Sequence, residues 1–482
     1  MLKKIREKYT SSSVAVRAAF WYTGCNVLNK GLSLLSTPIF TRILTEEQYG
    51  DFAIFHSWYS ILLIITSLNI FMGGYTKGLL KYKDKIDEFT SSQLSLTTVI
   101  TLLWGIVYLI NIPFWTKVLE IKPTLMAAMF AQLLVMPALE FWMSQERFSY
   151  HYKGVVLVTL LCSVLCIAIS VVAVLLSEEK LAARVYSDAG VKVFISGILF
   201  IIVFSKGKTF YNREWWKYAL SFNLPLISHY LANYALSQSD RLMIGRMVGS
   251  SEAAFYSVAY TISMMLFLVV NAINNAIEPY LYKSLDSKNV DNIAKKTNPL
   301  IILIGVMTVA VMAFAPEVIY VFAGTKYLDA IKVIPPISAA LYFIFVYSLY
   351  STVEYFYQKT SFIAVATTIS AIVNIVLNYF GIKKFGYHAA GYTTLICYIL
   401  LTFLHYCFYK KIIKDSDLKV KDVYSLKVVL LMGLVLLVIM ILMVMTYDQV
   451  IIRYSIIGLL IIISVIKRHT LKSIISGLGK NG

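Results

Sequence analysis

Charge is scarce in this chain: only 15% of its 482 residues are Asp, Glu, Lys or Arg, and the 26 acids fall well short of the 44 bases. A soluble domain carries about a quarter charged residues, so a solvated globular protein is excluded. No G-x-x-x-x-G-K-[ST] stretch occurs, which removes an ATPase cradling phosphates on a P-loop. The five cysteines, Cys25, Cys162, Cys166, Cys397 and Cys407, all sit inside apolar runs, where packing is their ordinary role and no disulfide framework is implied. Six scattered histidines give no H-x-x-x-H and no His/Cys pair at metal spacing, so no metal or other cofactor is expected. The net charge of +18 would suggest nucleic acid only if basic and aromatic residues clustered in a soluble segment, and none is long enough. The start, MLKKIREKYTSSS, lacks a short apolar core with a cleavage site and reads as an uncleaved cytoplasmic tail.

What is abundant is apolar sequence. Hydrophobic residues make up 59% of the chain and the mean hydropathy is +0.71. Apolar runs of about 20 residues recur along the whole length, each long enough to cross the hydrocarbon as a helix. The short alternating segments of a membrane barrel do not dominate. The expected fold is therefore an all-α integral membrane protein of about fourteen transmembrane helices. The spans fall near 14–44, 51–75, 92–113, 123–143, 153–176, 185–205, 218–246, 254–282, 299–322, 330–357, 361–380, 388–409, 426–446 and 450–466. Most lysines and arginines fall in the even-numbered gaps and the two tails, which by the positive-inside rule puts both termini in the cytoplasm. No loop is long enough for a soluble domain. Trp115, Trp142, Trp215 and Trp216 stand at span ends, where indole is usual at the interface.

The first span carries a polar seam. At 100° per residue Asn26, Lys30, Ser33 and Thr37 share one helix face. An ammonium in hydrocarbon costs on the order of 3 kcal/mol, so Lys30 is expected to face protein or a water-filled cavity. A related pattern returns 204 positions later: Asn29, Leu32, Ser33, Arg42 and Phe52 stand opposite Asn233, Leu236, Ser237, Arg246 and Tyr256. That seventh span, broken near its start by Pro225, lines up His229, Asn233, Ser237, Asp240 and, at the edge, Arg241. Asp240 and Arg241 either neutralise each other as a structural pair or part to line a cavity. Glu140, Glu278 beside Pro279, Glu354 and Lys192 also stand at apparent membrane depth, although each reads equally as an end-of-span residue. Asn69, Asn271, Asn274, Asn275, Asn374 and Asn378 suit interhelical hydrogen bonding as well as ligand contact. Asp415 and Asp417 form a D-x-D, but in a lysine-studded loop without an α/β domain they balance charge rather than hold a nucleotide sugar.

STPIFTRILTEEQYGDFAIF, SQSDRLMIGRMVGSSEAAFYSVAYTI and IVNIVLNYFGIKKFGYHAAGYTTLICY resemble three recurrent segments of bacterial Wzx-type polysaccharide (O-antigen or capsule) flippases, within the superfamily of the multidrug-and-toxin extrusion antiporters. The resemblance implies two pseudo-symmetric six-helix bundles, 1–217 and 218–410, forming a V around a central cavity. It appends a third part, 411–482, holding a cytoplasmic loop, two extra helices and the tail. It implies no enzyme, and instead transport of undecaprenyl-pyrophosphate-linked oligosaccharide across the bacterial cytoplasmic membrane by alternating access with ion coupling. The alternative on the same fold is a multidrug or organic-cation antiporter; a glycan polymerase or ligase ranks third, for want of a large outer loop. Cavity-lining candidates are Asn26, Lys30, Ser33, Arg42, His229, Asn233, Ser237, Asp240, Arg241 and Arg246, the cations among them suited to a pyrophosphate. Ion-coupling candidates are Asp240, Glu278 and Glu354. Expected partners are the lipid-linked oligosaccharide, membrane lipids, a polysaccharide polymerase and a chain-length regulator.

Overall fold

The computed structural model describes residues 13–416, 418, 422–455, 457 and 458. Those residues form helices joined by short turns, with no strand among them. Ten helical stretches of the described residues are long and apolar enough to cross a membrane. The fourteenth expected span, 450–466, lies largely outside the described residues, as does Asp417 of the D-x-D.

The chain divides into two compact units, Met1–Tyr234 and Ala235–Gly482. The first holds α1 (Val14–Ile43), α2 (Glu46–Ser67), α3 (Gly73–Lys81), α4 (Ile86–Ile110), α5 (Ile112–Leu119), α6 (Pro123–Phe148), α7 (Tyr152–Leu176), α8 (Lys180–Gly207) and α9 (Arg213–Asn223). Local sequence sets the boundaries. Thr45 and Gln48 close a reciprocal capping box that starts α2. The Asn111 side chain accepts from the Phe114 amide at the head of α5, and Asn212 does the same for Glu214 and Trp215 at the head of α9. Leu68 and Asn69 turn through left-handed conformations to end α2. Tyr75, Phe89, Phe141 and Trp215 pack as rings at 4.8–5.8 Å, and their size is accommodated by Gly78, where a methyl group would collide with the Phe89 ring. Trp215 is thus a core residue rather than an interfacial one. The reason is that α9 lies against α4: Gln93 Nε2 donates to the Trp215 carbonyl at 3.2 Å, and Trp216 Nε1 donates to the Ser92 carbonyl at 2.9 Å. All seven tryptophans of the chain belong to this unit: Trp21, Trp58, Trp104, Trp115, Trp142, Trp215 and Trp216.

The division falls inside α10 (Ile227–Met247), which follows a 3₁₀ turn at Leu224–Leu226 where Pro225 interrupts the helix. The second unit continues with α11 (Ser250–Ser263), α12 (Met265–Asp286), α13 (Ile293–Ala313), α14 (Ala315–Phe322), α15 (Ile334–Phe356), α16 (Thr360–Phe385), α17 (His388–Asp415) and α18 (Leu426–Thr446). The span expected at 254–282 is broken at Met264, between α11 and α12. α15 is buried along nearly its whole length and forms the centre of the unit. Its Tyr342 hydroxyl donates to the Val429 carbonyl at 2.8 Å, and Gly433 lets α18 approach the Tyr342 and Phe343 rings. α1, α2 and α10, of 30, 22 and 21 residues, have the length of a span but fall outside the apolar set. Two of these three carry most of the polar seam residues, and that polarity lowers their hydropathy.

Candidate functional site

Asp240 is fully enclosed, with 0% of its surface exposed. Three helices supply its partners. The Thr394 hydroxyl of α17 donates to Oδ2 at 2.9 Å, the Tyr256 hydroxyl of α11 donates to the same oxygen, and Asn378 Nδ2 of α16 donates to Oδ1. A second ring orders these donors. Asn378 also bridges to Asn374 Oδ1 at 3.2 Å, Thr393 donates to Asn378 Oδ1, and Ser239 donates to Asn374 Oδ1 at 3.2 Å. Asn374 and Asn378 are fully buried, one helical turn apart on α16.

Every one of these donors is neutral. Arg241, next in sequence, turns its guanidinium elsewhere. Nε donates to Ser257 Oγ at 3.1 Å, Nη1 to Gln238 Oε1 at 2.6 Å and to the Ser237 carbonyl at 2.9 Å, and the group lies 4.4 Å from the Tyr260 ring centre. The two alternatives for Asp240 and Arg241 resolve in favour of separate partner sets. An ionised carboxylate buried without a cation is expensive, by several kcal/mol even after relaxation. The side chain therefore sits where a proton or a small hard cation gains most, among carboxylate, hydroxyl and amide oxygens of the kind such cations select. Among the described residues no group of three or more His, Cys, Asp or Glu side chains is placed to hold a metal.

Other expected site residues are distributed differently. On α10 His229 and Asn233 bond to each other at 3.0 Å, Ser237 is half-buried and Arg246 exposed. On α1 Asn26, Lys30 and Ser33 are exposed, and the exposed Arg42 returns its Nη1 to the Pro38 carbonyl of its own helix at 2.6 Å. The neighbour that reaches across from α1 is Asn29, which accepts from Ser163 of α7. Glu278 is exposed on α12, whereas Glu354 is fully buried with His405.

The sequence reading missed a charge ladder on α8. Arg184, Asp188 and Lys192 follow at one-turn intervals, and all are largely buried. Lys192 Nζ donates to Asp188 at 2.6 Å, while the Arg184 guanidinium lies 3.6 Å from the Phe40 ring centre and 4.5 Å from that of Phe52. The i, i+4, i+8 spacing was the available signal, but it straddles the expected start of the sixth span at 185.

Compared with known proteins, residues 15–285, more than half of the chain, match the family described as "Polysaccharide biosynthesis protein". The chain belongs to that family. Residues 225–380 of this family member also match the MatE family. It is 28% identical over 166 residues to a protein of the Lsg locus of Haemophilus influenzae, a match covering 33% of this chain and 40% of that protein, so it spans less than half of that relative. The fold of this family member is similar to that of a solved structure described as the lipid II flippase MurJ, inward closed conformation, with a TM-score of 0.70 at 14% identity over 93% of this chain and 98% of that one. It is also similar to an inward-facing multidrug resistance MATE family transporter of the MOP superfamily, with a TM-score of 0.61 at 16% identity over 80% of this chain and 96% of the other. The chain is thus a multi-pass membrane protein of a polysaccharide-biosynthesis family with a MATE-like fold.

Proposed function

We propose that this chain is a flippase that carries undecaprenyl-pyrophosphate-linked oligosaccharide repeat units across the bacterial cytoplasmic membrane, by alternating access coupled to an ion at Asp240. The match to the polysaccharide biosynthesis family over 15–285 is the observation that carries the reading. Lys30, Arg42 and Arg246, all exposed, are the cations proposed to meet the pyrophosphate, since ionised donors bind phosphate oxygens about twice as strongly as neutral ones. Arg241 is a weaker candidate than its sequence position suggested, because its guanidinium is buried and committed within its own unit. The chain acts as a carrier, with no bond made or broken in the glycan, and the polymerase and chain-length regulator act on what it delivers. Deletion should leave lipid-linked units made but stranded in the inner leaflet, with surface polysaccharide absent. A deletion strain that no longer assembles the lipid-linked unit would mean an enzyme instead.

An organic-cation antiporter is the second reading, supported by the MatE match over the segment that holds Asp240. Drug resistance lost on deletion, with surface polysaccharide intact, would favour it. For orientation, we place both termini in the cytoplasm. Cysteines introduced into a cysteine-free background at Glu46 and Lys180 should then label from outside, and those at Asp84, Lys208 and Lys288 should not. Outside labelling at Lys208 would reverse the topology.

A further inference from the structure

Glu354 of α15 and His405 of α17 form a second enclosed titratable site, with 0% and 1% of their side chains exposed. His405 Nδ1 lies 2.9 and 3.0 Å from the two carboxylate oxygens, so one hydrogen lies between this nitrogen and the carboxyl group. The Tyr347 ring stacks on the imidazole at a centroid distance of 5.3 Å and 21°. The nearby titratable groups are neutral or acidic: Tyr347 and Tyr355 on α15, Tyr398 on α17 and, beyond Tyr355, Glu278 on α12. No lysine or arginine pairs with the carboxylate among the described residues.

The outer nitrogen decides the charge of the pair. His405 Nε2 is buried and has no hydrogen-bond partner. If it is bare, the pair holds a net negative charge that nothing offsets; if it carries a proton, the pair is neutral but the N–H meets no acceptor. The uncompensated charge is the costlier state in a low-dielectric interior, so the proton resides on Nε2 while the helices are closed around it. Its hold depends on that closure. Once water reaches Nε2, the pair can pass one proton to water as hydronium, leaving a carboxylate and a neutral imidazole that are now solvated.

We propose that the Glu354–His405 pair is a proton-binding site separate from Asp240, loaded when α15 and α17 are closed over it and released when water enters between them. The proton site rests on the geometry of the second unit alone; its use in coupling rests on the transporter reading.

The test is a proton count on the full-length purified protein, titrated between pH 5 and 9 as wild type, Glu354→Gln, His405→Gln and Asp240→Asn. Wild type should bind about one proton per chain more than His405→Gln over this range. Glu354→Gln keeps an oxygen to accept from Nδ1 but removes the carboxylate charge that the Nε2 proton offsets, so it should bind about one proton per chain fewer than wild type over this range. Asp240→Asn should leave the His405-dependent proton in place. A pair that serves only to lock the two helices would stay in one protonation state throughout, and identical curves for wild type and both pair variants would overturn the proposal. If His405→Gln does not fold, an unchanged proton count in Glu354→Gln overturns it equally. Loss of ion-driven export in Asp240→Asn with the His405 proton retained would separate this site from the one assigned to Asp240.

Discussion

An Asp240→Asn protein should accumulate in the membrane at close to the wild-type level and yet no longer respond to an ion gradient. The carboxylate makes three hydrogen bonds to neutral groups and none to the neighbouring guanidinium, which has its own four contacts. Replacing it with an amide gives up charge-assisted hydrogen bonds of about 1.5–3 kcal/mol each. The same change removes a buried, uncompensated negative charge whose cost is also several kcal/mol. The two nearly offset, so abundance holds; what disappears is the carboxylate of the cluster, the group suited to take up a cation or a proton. Export measured in energised cells, with and without collapse of the proton and sodium gradients, reads the difference. A collapse in protein level would instead make Asp240 a structural group, and an unchanged response to the gradients would remove it from coupling.

The opposite result is expected at Asp188. It stands between two buried cations, Lys192 at 2.6 Å and Arg184 one turn the other way. Removing the one anion leaves both without compensation, and breaking a buried pair from one side costs about 3–5 kcal/mol. Asp188→Asn should therefore lower the amount of folded protein and its melting temperature, independent of any transport assay. Asp188→Leu combined with Lys192→Met should recover only the part of the loss that belongs to Lys192, because matched apolar side chains avoid the desolvation that this pair requires while Arg184 stays without its anion. Wild-type stability in Asp188→Asn would mean that water already reaches the ladder.

The contrast between these two acids shows what the sequence made visible. Asp240 was legible because Asn233 and Ser237 precede it at helical spacing, and a polar stripe in an apolar span needs an explanation. What the stripe faces was not legible: Tyr256, Asn378 and Thr394 lie 16, 138 and 154 positions away and become neighbours only through the packing of α11, α16 and α17. Glu354 was visible only as an acid at apparent membrane depth, and His405, 51 residues on, was an isolated histidine until the helices were paired. Asp188 escaped because a charge near a span boundary reads as solvated, and only the burial of α8 shows otherwise. The all-helical membrane class was foreseen, since a membrane leaves the backbone few alternatives, whereas ten rather than fourteen stretches among the described residues are long and apolar enough to span. The break at Met264 was not, because no glycine or proline marks it.

The placement of tryptophan gives the molecule a built-in optical label. Because all seven indoles belong to the first unit and the second has only phenylalanine and tyrosine as aromatics, emission excited at the red edge of absorption originates in residues 1–234 alone. A ligand that shifts that emission has altered the surroundings of the first unit, whereas a change confined to the Asp240 or Glu354 neighbourhood stays dark. One tryptophan introduced beside α15 would then light the second unit, and the order in which the two signals respond to substrate and ion could be timed without attaching a dye.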